Sequence, residues 1–117
     1  MTLEEFYIQI GSNADAILER FGDQAFIKKF IIKFLDDPTF QMLKEDVENN
    51  NIDKANFDAH TLKGVCALLD FINLKQLIEQ FVLCIKQGNS YNEVWQRLSD
   101  EYNFIIQTIK QTNWIIN

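Results

Sequence analysis

Apolar side chains recur every three or four residues from Leu3 to Ile109, the period that lays one apolar stripe along an α-helix. That rhythm constrains the chain more than any other feature. Strand signals are weak: one proline, four glycines and no alternating run bounded by hairpin turns. The punctuation is helical. Gly11 stops a first short helix over 3–10, and Ser12 with Asp15 reads as a capping box opening a second toward Arg20. Asp23 caps a helix over 23–35, and Asp37-Pro38 restarts the chain with proline at a first helical position. Asn49-Asn50-Asn51 forms a tight loop, Asp53 caps the next helix, Asn73 with Gln76 opens another that Gly88 stops, and Ser90 with Glu93 opens the last.

Four longer helices, over roughly 38–49, 53–71, 73–87 and 91–113, are joined by short connections and so imply antiparallel neighbours. The expected fold is all-α: an antiparallel up-and-down four-helix bundle over 38–113 with additional short N-terminal helices in 1–22. The helix over 23–35 covers one end or side. At 117 residues the chain supports one core, hence a single domain over 1–117.

A 47% hydrophobic content with ten phenylalanines excludes a disordered chain. The net charge of −6, with no lysine–arginine cluster, argues against a nucleic-acid partner. Met1-Thr2-Leu3-Glu4-Glu5 lacks the basic and apolar regions of a signal peptide, and no apolar run reaches the roughly 18 residues a membrane span needs. A soluble cytoplasmic protein with no membrane partner is expected. Cys66 and Cys84 fall on apolar faces and read as free thiols. One histidine and no C-x-x-C give no zinc ligand set, and no P-loop or G-x-G-x-x-G is present. The chain is expected to carry no metal or cofactor of its own.

The only histidine, His60, lies in the central helix. At about 100° per residue, Leu62, Val65, Cys66 and Leu69 fall about 140–240° away from it, so His60 points to water opposite the apolar stripe. Gly64 and Ala67 lie within about 40° of its direction and leave almost no side chain there, while Lys63 lies about 60° to one side. Glycine inside a helix costs about 1 kcal/mol relative to alanine, so Gly64 calls for an explanation. Phe57, Leu68 and Phe71 project within about 20–80° of His60 and read as an apolar docking patch, the alternative being that the N-terminal helices or the next helix cover some of them, Phe71 near the helix end first. Asp58, about 160° away, points toward the core stripe with no evident partner.

His60-Thr61-Leu62-Lys63-Gly64 resembles the H-x-L-K-G core of histidine phosphotransfer (HPt) domains. Leu74, Leu77, Phe81, Lys86 and Gly88 stand at spacings similar to that family's next helix, L-x-x-L-x-x-x-L-E-x-x-x-R-x-G. Phe30-Ile31-Ile32-Lys33-Phe34-Leu35-Asp36-Asp37 resembles its preceding helix and turn, so the similarity covers roughly 23–89. The resemblance implies a stand-alone phosphorelay intermediate of two-component signalling, a carrier and not an enzyme. His60 would be the phosphoacceptor, through Nε2, exchanging a phosphoryl group with receiver-domain aspartates.

Neutral imidazole suits that role, because its ordinary pKa of about 6.5 leaves most of the ring unprotonated at pH 7. Lys63 would neutralise charge on the phosphoryl oxygens and Gly64 would give the partner clearance. Phe57, Thr61, Ala67, Leu68, Phe71 and Val82 complete the partner-binding set. The implied partners are a response-regulator receiver domain, which brings magnesium, and a hybrid histidine kinase, with this chain a monomer. The sequence departs from the family at Leu68 and Asp70, where asparagine and glycine are common, and at Val82, where glutamate or glutamine is. Those departures keep open a degenerate HPt-fold adaptor that binds receivers or kinases without carrying phosphate.

Overall fold

The computed structural model describes residues 1–114; residues 115–117 of the single expected domain lie outside the described residues. Every regular element among them is helical, as the apolar period requires. The elements are α1 (Leu3–Gln9), α2 (Asp15–Phe21), α3 (Gln24–Lys33) with a 3-10 turn (Phe34–Asp36), α4 (Thr39–Glu48), α5 (Ile52–Leu69), α6 (Ile72–Gln87) and α7 (Asn92–Gln111).

The helix ends fall within about a turn of the expected ones, but several caps differ. Thr2 and Glu5 form a reciprocal capping box on α1, each bond 3.0 Å. Ser12 does not cap α2: Asn13 Oδ1 accepts from the Asp15 N–H at 3.1 Å, and the Ser12 hydroxyl is buried without a partner. Asp23 caps α3 as expected, accepting from the Ala25 and Phe26 N–H groups. The Asp37 carboxylate starts α4 by accepting from Thr39 N–H at 2.8 Å. Asp53, Asn73 and Ser90 cap nothing, since α5, α6 and α7 begin without a side-chain cap. Packing sets the α6 start instead: Phe71, at its N-cap, is locked in the core, and Asn73 Nδ2 donates to the Ile10 carbonyl at 3.2 Å.

From α4 onward each helix packs on the next, and α1 lies against α7. Phe40 of α4 stacks on Tyr102 and Trp95 of α7, at centroid distances of 3.8 and 5.8 Å. Phe71 sits at the junction of α5 and α6, with Phe6, Tyr7 and Phe34 around it at 6.1, 6.5 and 5.2 Å. All four rings are buried, which corrects the placement of Phe71 on the partner-binding face. The 100° arithmetic presumed a helix running through residue 71. In fact α5 ends at Leu69, Asp70 turns left-handed at φ 61°, and the chain swings Phe71 inward.

The last carbonyls of a helix have no partner within it, and α5 finds them elsewhere. Tyr7 Oη donates to the Leu69 carbonyl at 2.7 Å, and Arg20 Nη1 donates to the Leu68 and Ala67 carbonyls at 2.7 and 3.4 Å. The N-terminal helices therefore fix the end of the helix that carries His60. No helix among the described residues is long and apolar enough to cross a membrane.

Candidate functional site

The buried stripe of α5 comprises Ala55, Ala59, Leu62, Cys66 and Leu69, together with Asp58. Packing of that stripe against α4 and α6 sets the rotation of the helix. His60, Thr61, Gly64 and Ala67 are exposed on the opposite side, and Lys63 is half-buried beside them. Among the described residues no hydrogen bond or ion pair engages the His60 ring, and Lys63 has no ion pair.

A Cβ added at Gly64 would meet nothing within 4 Å. No helix crosses closely there, so packing does not account for the glycine. Phe57 is 70% exposed and Leu68 38%. The Thr61 hydroxyl donates to the Phe57 carbonyl at 3.2 Å, so it is turned back on its own helix.

His60 also forms part of the wall of an open groove of about 470 Å³ between α5 and α6. Asp53 and Asn56 join it from α5, and Val82, Ile85 and Lys86 come from α6. Asn56 stands one turn before His60 on α5 and lines the same groove. Val82 is half-buried and offers the groove no hydrogen-bonding group.

The structure thus gathers His60, Lys63, Gly64, Phe57, Thr61, Ala67 and Leu68 on one side of α5, with Val82 across the groove and Phe71 withdrawn into the core. Sequence reasoning assigned no role here to Lys86 or Asn56. The signal for Lys86 was its register with the cationic position of the L-x-x-L-x-x-x-L-E-x-x-x-R-x-G pattern. For Asn56 it was the four-residue spacing to His60.

The other reactive groups of α5 are shut away. Burial, with Asp37 adding to it, pushes the Cys66 thiol up to about 12, so it stays protonated and unreactive at neutral pH. Cys66 and Cys84 are both free thiols. Burial foremost, then the Asp70 charge, raises the Tyr7 phenol well above its ordinary value. Asp58, whose partner the sequence left open, meets Asp46 of α4 in the interior. No cluster of three or more histidine, cysteine, aspartate or glutamate side chains suited to a metal ion occurs among the described residues. What the face offers chemically is one unengaged ring nucleophile with ammonium groups from two helices nearby and an open approach.

Comparisons with protein-family models, with curated proteins and with solved structures find no significant match.

Proposed function

We propose that this chain is a phosphorelay intermediate of two-component signalling, with α4 to α7 forming the antiparallel up-and-down four-helix bundle of an HPt domain. The observation that carries the proposal is an unengaged imidazole exposed in mid-helix, beside a glycine that no internal contact requires. Asp70 adds support: it adopts a left-handed backbone at φ 61°, a conformation that favours glycine, where HPt domains often have one.

The partner is a receiver domain bearing an aspartyl phosphate and magnesium, and a hybrid histidine kinase is its other natural counterpart. His60 Nε2 attacks phosphorus in line as the bond to the aspartate oxygen breaks, returning a carboxylate to the partner. The ring, left positively charged, sheds its Nδ1 proton to water. Lys63 and Lys86 balance the negative charge on the equatorial oxygens. Phe57, Ala67 and Leu68 meet the apolar face around the receiver's aspartate, and Gly64 lets the two backbones approach. The protein acts as a monomer in the cytoplasm and turns nothing over by itself.

The adaptor reading keeps one observation in its favour. Val82 lines the His60 groove with an apolar side chain, so no partner from α6 orients the ring. Incubation with a labelled phospho-receiver and magnesium separates the two. Acid-labile, base-stable label on the wild type and none on His60→Gln is the expected result. Tight receiver binding with no label on either protein would favour the adaptor.

A further inference from the structure

Asp46 of α4 and Asp58 of α5 are 6% and 2% exposed, and the Oδ2 atom of each is buried without a conventional partner. Buried ionised carboxylates are costly unless paired, and one cation serves both: Lys54 Nζ lies 3.7 Å from Asp46 Oδ1. The two carboxyl groups meet where α4 packs on α5, and buried carboxyl oxygens that face each other with no other donor are relieved by a proton held between them. We propose that Asp46 and Asp58 form a proton-bridged pair that clamps α4 to α5, and that loss of the proton loosens this clamp beneath the helix carrying His60. In the bridged state the protonated Asp58 donates to the Asp46 carboxylate, whose other oxygen faces Lys54. The proton comes from bulk water and returns to it. This device is independent of the phosphoryl-transfer assignment.

The surroundings single out this pair. Burial first, then the neighbouring Asp46 carboxyl, pushes Asp58 up to about 6, with Lys54 opposing. The buried face of α6 is apolar, built from Leu74, Ile78 and Phe81. On α7, Glu101 is raised by burial alone, and Asp37 acts on Cys66 and Tyr102. The charged neighbours Lys44, Glu45, Glu48 and Asp53 are solvent-exposed.

A carboxyl raised on folding stabilises the fold fully only below its unfolded value of 3.8, and that contribution is lost as pH rises through about 6. Two measurements on the full chain test the pair. In the wild type, the Asp58 carboxyl carbon followed by NMR should titrate well above pH 5; a midpoint near 4 overturns the proposal. Asp58→Asn supplies a permanent donor to Asp46. The unfolding constant of the wild type relative to this variant should be about tenfold larger at pH 7.5 than at pH 5. Parallel pH profiles for the two proteins also overturn it. If the variant does not fold, the wild-type titration decides alone.

Discussion

Gly64 costs the fold stability that no internal contact recovers, and that makes it the sharpest single-residue marker of an external role. An added methyl would stand in open space in a helical backbone. Gly64→Ala is therefore expected to raise the stability measured by urea denaturation by about 0.5–1 kcal/mol. Gly64→Leu should also fold, yet on the proposed reading bind a receiver domain about tenfold more weakly or worse, because its side chain would stand where that partner is proposed to dock. Undiminished affinity in a titration would remove the clearance argument. Lys63 is separable from docking. If it acts on the phosphoryl oxygens, Lys63→Ala should bind with a similar Kd and transfer about a hundredfold more slowly, read by rapid-quench kinetics. Equal rates would shift the role to Lys86.

At the scale of elements, α5 depends on groups far away in sequence. Tyr7 closes the Leu69 carbonyl from α1, and Arg20 closes Leu68 and Ala67 from α2. Tyr7→Phe leaves a buried carbonyl without a donor and should cost about 1–3 kcal/mol in chemical denaturation; a change below about 0.3 kcal/mol would show that water replaces the phenol. These contacts also mark where the sequence stopped being legible. Element type followed from the apolar period, and the stops at Gly11 and Gly88 followed from glycine, because both depend on neighbours along the chain. The exposure of His60, Gly64 and Ala67 followed too, since one buried stripe fixes a helix's rotation. The starts of α5, α6 and α7 lie within a residue of the expected ones, but the expected caps Asp53, Asn73 and Ser90 make no capping hydrogen bond. Phe71 was misplaced because the left-handed turn at Asp70 breaks the wheel one residue before it. Lys86 and Asp46 reach α5 from neighbouring helices, and only three-dimensional packing shows which of their side chains meet it.

Taken whole, the molecule puts opposite properties on the two sides of one helix. One side of α5 presents an unengaged ring, flanking ammonium groups and exposed apolar side chains. The other buries a carboxyl pair against α4. The N-terminal helices brace the end between them, and the Trp114 indole N–H donates to the Met1 carbonyl at 2.7 Å, tying the two ends of the described chain together. On the proposed phosphorelay reading, one reactive ring on the surface is what a carrier requires, since the receiver domain would bring the metal and the leaving group. His60 is the only histidine in the sequence, so ring-nitrogen chemistry can be assigned without ambiguity. The decisive measurement is nitrogen and phosphorus NMR on histidine-labelled protein after mixing with a phosphorylated receiver and magnesium. A phosphorus signal coupled to the Nε2 nitrogen of His60 is the predicted result. An unchanged imidazole spectrum, while the receiver keeps its phosphate or loses it only to water, would contradict the account.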